Sequence, residues 1–472
     1  MNTYKPLAFV VVLLASAGCK DSNIVNPLDA PTVEAVSGAL SRASLQPLAT
    51  GVLAQDRAAV QGTVTYYTLS AVLGRDVYRI ESSEPRYVSE TLGGNPDPGS
   101  FAGSGGFSGF YTTIRAANDL ILALPSAPAT ELNADAVNVT SGFLKTIKAL
   151  DYLRLIELRD TVGVPIQTDD GSEVTPVSCK GKVLSYIAAL LDSANSELVS
   201  AGAGTSLPFI LPTGFTAFGR NYSTAGNLVL FNRALKGKTD LYRAYDRKNP
   251  QPSLATQAIA ELTTALGGAA AGAVPSSTFQ SGPYYKFVAA GSEATANPRA
   301  LTTIGLNPLV KDSVQQGDTR AAKIITRSTL GGGGISTSIT CSFCTNALVN
   351  QELPIGILRD EEIVLLRAQA YIEAGNLASA TADINSVRTF YGLAPHAVFA
   401  SKSAAISAVL YEKRYSLLFE GPQRWVDLRE YNRLNATYLR PEVSGDPFNK
   451  AFPIPRPELN ARGIQDNPVC EN

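Results

Sequence analysis

The sequence predicts a mostly α-helical fold, in which tetratricopeptide-like helical pairs form a scaffold that carries long irregular loops. Apolar residues recur at helical spacing along residues 110–124, 143–158 and 184–198. Residues 359–388 match the spacing of one tetratricopeptide unit, in which small alanines let two helices pack closely. Residues 267–354 are rich in Gly, Ser, Thr and Pro and lack this periodicity, which predicts a long loop-rich insertion.

The length and charge of the chain limit what it can be. Its 472 residues exceed what one compact core usually holds, so several lobes or a repeat architecture are expected. It carries 40 Lys and Arg against 41 Asp and Glu, so no strongly basic surface is expected and nucleic acid is not a predicted partner. Charged residues are 17% of the chain, whereas Gly and Pro number 39 and 28, which favours a secreted protein with ordered loops over a cytosolic enzyme.

The N-terminus has the pattern of a targeting segment. Residues 1–18 are predicted to be a signal peptide, because a positive charge and an apolar run too short to span a bilayer are followed by small residues. Cys19 comes directly after Ala-Gly and resembles the lipidated cysteine of a bacterial lipobox; an ordinary signal peptide with an incidental Cys is the alternative. Residues 19–32 are then a lipidated tether, and residues 33–472 a helical-repeat domain.

The helical elements follow in order along this domain. Residues 33–70 have a helical pattern that Pro47 is expected to interrupt. After the three segments described above, residues 228–242 and 254–266 form a further predicted pair. In the tetratricopeptide-like unit, Gly375–Asn376 supplies the turn between the helices. One such unit cannot bury its apolar face alone, so it must stack on the other pairs.

The C-terminal signature, residues 409–430, combines dense charge with apolar residues and holds the only Trp of the chain. It is predicted to form a helix, a break at Gly421–Pro422 and a second charged turn. Because Arg can donate two parallel hydrogen bonds to one carboxylate, this composition predicts a partly buried network of arginine and carboxylate pairs that holds the fold together. The residues assigned to this structural role are Glu412, Arg414, Glu420, Arg424, Trp425, Asp427 and Arg429.

Together with the later Pro453-Ile454-Pro455 and Asn467-Pro468, the C-terminal signature resembles the C-terminal region of the SusD/RagB family of nutrient-binding outer-membrane lipoproteins. The resemblance is densest over residues 358–468. It implies a lipid-anchored protein of the cell surface that binds nutrient oligosaccharides and delivers them to a SusC-like TonB-dependent transporter of the outer membrane. A peptide-binding member of the same family and a tetratricopeptide-type scaffold for protein interaction are the alternatives.

The cysteines suggest an oxidising compartment. Cys179, Cys341, Cys344 and Cys470 are even in number and are candidates for two disulfides. A tight bridge between Cys341 and Cys344 would leave Cys179 to pair with Cys470. A single CxxC without a second pair of ligands is a weak signal for zinc.

The sequence offers little for catalysis. With His396 as the only His, neither a metal site nor a His-based triad can be assembled, and no phosphate-binding glycine loop is present. We therefore expect a binding protein without cofactor or metal, rather than an enzyme. A pair of carboxylates for glycoside hydrolysis remains open, because their separation in space is not visible in the sequence.

Aromatic and polar residues in or near loops are the candidate ligand contacts, because sugars are recognised by aromatic faces with a few polar groups that fix orientation. In the SusD/RagB family, the ligand face is built from loops like residues 267–354. Each aromatic residue could instead pack in the core. The candidates are Tyr66, Tyr67, Arg75, Asp76, Tyr78, Tyr284 and Tyr285.

Overall fold

The structure is a computed structural model, and it describes residues 40–61, 66–79, 83–169, 174–245, 251–288, 297–298, 303–326, 345–346, 353–441, 444–468 and 470. Within these residues the α-helices are α1 (Arg42–Gln61), α2 (Tyr66–Leu73), α3 (Arg86–Ser89), α4 (Phe101–Ser104), α5 (Ser108–Ala123), α6 (Ala134–Arg159), α7 (Lys180–Ala201), α8 (Ala225–Ala244), α9 (Pro252–Ala265), α10 (Pro308–Asp312), α11 (Asp360–Glu373), α12 (Leu377–Phe390), α13 (Lys402–Ser416), α14 (Gln423–Glu430) and α15 (Arg456–Ala461).

Short segments between the helices form β-strands, which associate in antiparallel pairs. The strands are β1 (Val77–Arg79), β2 (Val164–Pro165), β3 (Val177–Ser178), β4 (Tyr284–Tyr285), β5 (Ile304–Leu306), β6 (Ile325–Thr326), β7 (Thr345–Asn346) and β8 (Ile355–Gly356). Strand β1 pairs with β5, β2 with β3, β4 with β8, and β6 with β7. Strands β1, β4, β5 and β8 are buried along their length, so these pairs form part of the core.

The helices pack on one another largely in chain order. Helix α1 packs on α5, α5 on α6, α6 on α7, α7 on α8, and α8 on α9. Helix α9 then packs on α11, which contacts both α12 and α13. Each helix therefore buries its apolar face mainly against its neighbours, as in helical-repeat proteins. The mostly α fold with a tetratricopeptide-like scaffold is confirmed.

The predicted tetratricopeptide-like unit corresponds to α11 and α12. Gly375 between them has a φ of 80°, which glycine adopts without strain, and the Asn376 side chain accepts a hydrogen bond from the backbone N–H of Ser379. Arg367 stands where an apolar residue is usual in such repeats. It is fully buried and makes two hydrogen bonds of 2.8 and 2.9 Å to the carboxylate of Asp383, so an ion pair links the two helices here.

Two predicted helix boundaries were wrong. Helix α1 continues through Pro47, because the residue lies near the helix start and costs one hydrogen bond, while the buried face of α1 packs on the core. Helix α13 ends at Ser416, before the predicted stop at Gly421–Pro422. In the segment between α13 and α14, Phe419 takes a positive φ of 59° and Gly421 a φ of 146°, which a helix does not accommodate.

A disulfide joins Cys179 to Cys470, as predicted, and ties the start of α7 to the C-terminal end of the chain. The backbone N–H of Cys470 also donates to the carbonyl of Thr161. Cys19, Cys341 and Cys344 lie outside the described residues. No helix in the described part of the chain is both long enough and apolar enough to cross a membrane.

Candidate ligand-binding cleft

The C-terminal signature forms the predicted buried network, with partners in distant segments. Asp427 accepts hydrogen bonds from Lys413 and from Gln369 of α11, and the side chains of Lys413 and Asp427 are 2% and 3% exposed. Trp425 is fully buried and donates from Nε1 to the carbonyl of Asn449, at 2.8 Å. These contacts lock α11, α13, α14 and the C-terminal segment together.

The remaining charged residues of the signature are paired in the same way. Glu412 accepts from Arg320 and Arg388, and Glu420 from Arg359. Arg429 donates to the carbonyls of Glu157 and Lys450. The structural role predicted for these residues agrees with their burial and pairing.

Asp76, which the sequence suggested as a ligand contact, belongs to this network. Its Oδ1 lies 2.9 Å from Arg414 Nε and 3.0 Å from Arg424 Nε. Arg424 also donates to the carbonyl of Gly74. Burial and the nearby Arg414 lower the pKa of Arg424 to about 10, and Asp76 opposes this shift. Asp76 thereby fixes the turn between α2 and β1 to the signature.

The candidate tyrosines also lie in the core, which corrects their predicted placement on a loop surface. Tyr284 and Tyr285 form strand β4, which pairs with β8, and the Tyr285 hydroxyl donates to Asp56 Oδ2 at 2.5 Å. The Tyr66 hydroxyl donates to Glu157 Oε2 at 2.5 Å. None of the predicted contacts is more than 8% exposed; the set is Tyr66, Tyr67, Arg75, Asp76, Tyr78, Tyr284 and Tyr285.

Next to Tyr285 lies a buried cluster of two carboxylates and one guanidinium. Arg154 Nη1 donates to Asp56 and, at 2.8 Å, to Asp151 Oδ1. The Asp151 Oδ2 atom is buried without a hydrogen-bond partner among the described residues. Burial and the neighbouring Asp56 carboxylate raise the pKa of Asp151 well above its usual value, and Arg154 only partly offsets this. One guanidinium faces two carboxylates, which favours the protonated form of Asp151.

A cleft of about 760 Å³ lies between α1 and α5, and it is a feature that the sequence reasoning missed. Most of its lining is apolar, and hydroxyl, amide and paired charged groups make up the rest. This is the composition expected of a small-molecule site. The lining residues are Pro47, Leu48, Gly51, Val52, Gln55, Phe107, Ser108, Tyr111, Thr112, Arg115, Ala116, Asp119, Leu120, Pro165, Thr168, Glu458 and Arg462.

The half-buried Tyr111 is the aromatic residue that the cleft presents most openly, and its neighbours fix its ring. Its hydroxyl donates to the carbonyl of Pro165 at 2.7 Å. The ring packs against Phe107, with centroids 4.9 Å apart, and edge-on to Tyr152 at 6.3 Å. Burial raises the pKa of Tyr111 well above its usual value, so the hydroxyl stays neutral and keeps donating. These contacts therefore fix the position of the Tyr111 ring in the cleft.

Gly51 leaves the cleft open on the α1 side. A Cβ atom added at Gly51 would meet no atom within 4 Å, so a larger side chain would extend into the cleft rather than into the core. Glycine inside a helix costs stability relative to alanine. This glycine in a helical pattern was the sequence signal that could have indicated the cleft.

Comparison with known proteins connects this fold to one family. The model of the SusD family matches residues 345–456, which include the C-terminal signature. A laminarin-binding SusD-like protein superposes with a TM-score of 0.64 at 20% identity, covering 89% of this chain and 98% of that chain. The chain has a SusD-like fold. A SusD superfamily protein from Bacteroides fragilis gives a TM-score of 0.64 at 16% identity, with 92% of this chain and 100% of that chain covered.

Another similar structure is a surface glycan-binding protein A from Bacteroides uniformis, with a TM-score of 0.62 at 14% identity, covering 84% of this chain and 92% of that chain. No curated protein matches the SusD-like chain. The resemblance drawn from the sequence is thus confirmed for the fold, and the SusD family model matches the C-terminal part of the chain where the resemblance is densest. Over the described ranges, the SusD-like chain has no group of three or more His, Cys, Asp or Glu side chains placed to hold a metal ion.

Proposed function

We propose that this chain is a surface-exposed lipoprotein that captures nutrient oligosaccharides in the cleft between α1 and α5 and delivers them to a SusC-like TonB-dependent transporter. The observation that carries the proposal is the fixed ring of Tyr111 in a cleft whose mainly apolar lining also carries polar groups. Sugars offer C–H faces that pack on aromatic rings and hydroxyls that hydrogen-bond to such polar groups.

The family and fold support the same function. Among the structures that this chain resembles, one is named for laminarin binding and another for surface glycan binding. The protein acts without catalysis in this proposal, as a receptor that holds a sugar near the transporter. The anchor is lipid attached to Cys19, with residues 19–32 as the tether. Mass spectrometry of the mature N-terminus tests this anchor, and an unmodified N-terminus at another residue would contradict it.

Glycan binding is tested by isothermal titration against gluco-, manno- and xylo-oligosaccharides. We expect the wild-type chain to bind at least one of them. Gly51→Leu should weaken that binding tenfold or more, a loss of about 1.4 kcal/mol, because the new side chain occupies the cleft. Tyr111→Ala should weaken it to a similar extent through loss of the aromatic contact.

A matched control is available at Gly181 on α7. An added Cβ there also meets no atom within 4 Å, but the residue does not line the cleft. Gly181→Leu should therefore bind as the wild type does, and all variants should keep the wild-type circular dichroism spectrum. If Gly51→Leu and Tyr111→Ala bind a glycan as tightly as the wild type, the ligand site lies elsewhere.

A peptide is the second candidate ligand, because a mainly apolar cleft between two helices also suits the side chains of an extended peptide. Failure of every oligosaccharide to bind, with binding from a random peptide library that Gly51→Leu abolishes, would favour this candidate. Co-purification from membranes tests the transporter partner. A tetratricopeptide-type interaction scaffold would instead bind proteins and show no association with a transporter.

A further inference from the structure

We infer that the cleft selects uncharged saccharides and discriminates against sugars that carry carboxylates. This inference rests on the proposed function and adds the chemical class of the sugar. The evidence is the way in which the charged residues of the cleft are paired.

The cleft has no net charge, because its charged side chains form two local pairs. On α5, Arg115 Nε lies 2.9 Å from Asp119 Oδ1, four residues later. At the end of α15, Arg462 Nε donates to Glu458 Oε1 at 3.0 Å. The other lining residues are neutral, including Tyr111, whose pKa is raised by burial. Two positive charges thus balance two negative charges.

Each guanidinium of the cleft already has a carboxylate partner in the cleft. Arg462 uses Nε and Nη2 for Glu458 and Nη1 for the carbonyl of Thr175. Arg115 is held through Nε by Asp119, so its Nη groups can reach a hydroxyl, but the carboxylate beside them opposes a second anion. The side chains of Asp119 and Glu458 are 21% and 33% exposed, so a sugar carboxylate in the cleft would meet negative charge.

An anionic sugar would therefore lose water on binding without gaining a cation that lacks a counter-ion, which is unfavourable. The neutral polar groups of the cleft suit sugar hydroxyls instead. Gln55, which lines the cleft, adds an amide group. Thr112, which donates to the carbonyl of Ser108 at 3.0 Å, and Thr168 add hydroxyl groups.

The test compares each gluco- or manno-oligosaccharide that binds with its counterpart oxidised to a carboxylate at C6. The two probes have the same size and linkage and differ in charge. We expect the oxidised probe to bind the wild-type chain at least tenfold more weakly, by titration at low salt. Equal affinity for the two probes overturns this inference alone. If no oligosaccharide binds at all, the proposed function fails, and this inference fails with it.

Two isosteric variants then test whether the paired carboxylates cause the weaker binding of the oxidised probe. Asp119→Asn and Glu458→Gln each remove one negative charge and leave Arg115 or Arg462 without its counter-ion. In each variant, the affinity for the oxidised probe divided by the affinity for the neutral probe should be at least fivefold higher than in the wild type. Glu84→Gln is the control, because Glu84 pairs with Arg86 at 2.6 Å outside the cleft, and its ratio should match the wild type. An unchanged ratio in both cleft variants overturns the inference.

Discussion

The C-terminal signature and the cleft both contain pairs of opposite charge, but the two regions use them differently. In the signature, Lys413 and Asp427 are 2% and 3% exposed, and Gln369 of a third helix joins them. In the cleft, Arg115 and Asp119 are neighbours on one helix, and their side chains are 51% and 21% exposed. A buried pair between elements fixes their packing, whereas an exposed pair within one helix mainly sets the charge of a surface.

This difference predicts unequal costs for removing one partner of each pair. Taking away one member of a buried pair leaves an uncompensated charge in the core, which costs about 3–5 kcal/mol. An exposed pair on one helix contributes about 0.3–0.5 kcal/mol, because solvent screens it. A segment with many charged residues can thus stabilise the fold, while the proposed binding surface consists of residues that do not stand out in the sequence.

The largest expected effect is that of Asp427→Ala. The change leaves the buried Lys413 ammonium without its carboxylate, so the free energy of unfolding should fall by about 3–5 kcal/mol. Urea denaturation followed by circular dichroism measures this. The glycan affinity of the folded fraction should match that of the wild type, because Asp427 does not line the cleft. A variant with normal stability and lost binding would show that the signature, rather than the cleft, contacts the ligand.

The next prediction extends the comparison to the buried cluster near Tyr285. The pKa of Asp151 is raised in the folded state, so this carboxyl favours folding at low pH. As pH rises above the ordinary Asp range, the unfolded chain releases this proton, whereas the folded chain keeps it until the pH reaches the raised pKa. The contribution of Asp151 to the free energy of unfolding is therefore lost as pH rises through the folded pKa. One such proton corresponds to a slope of up to about 1.4 kcal/mol per pH unit.

Asp151→Asn keeps an oxygen for Arg154 and cannot ionise. The stability of this variant relative to the wild type should therefore increase with pH across that window. Urea denaturation at several pH values, from mildly acidic to mildly alkaline, measures the difference between the two proteins. A stability difference that does not change with pH would mean that Asp151 is ionised in the folded state.

The helices and the C-terminal signature could be predicted because their signals are local. Apolar periodicity located the cores of α5 to α9, and the density of Arg and carboxylates indicated buried pairing. The burial of Tyr284 and Tyr285 could not be predicted from the local sequence, because it depends on pairing with Ile355 and Gly356, about seventy residues later. A Gly- and Ser-rich neighbourhood made them resemble loop residues, although their partners lay far along the chain.

The cleft could not be predicted for a similar reason. Its walls come from α1 and α5, which are separated by α2, β1, α3 and α4, and its lining includes Glu458 and Arg462 from near the C-terminus. Each residue looks ordinary in its own segment: Gly51 is a helix glycine and Tyr111 a helix aromatic. Only the packing of α1 on α5 brings them together.

The smallest expected effect is that of Asp119→Ala, which makes the direct counterpart to Asp427→Ala. The Arg115 side chain is about half exposed and remains hydrated when its partner is removed, so the free energy of unfolding should fall by no more than about 0.5 kcal/mol. Both variants are compared in the same urea titration, at low salt and at high salt, where the small loss should shrink further because salt screens exposed charges. A loss for Asp119→Ala as large as that for Asp427→Ala would mean that the cleft pair also holds the scaffold together, and the contrast between the two regions would not stand.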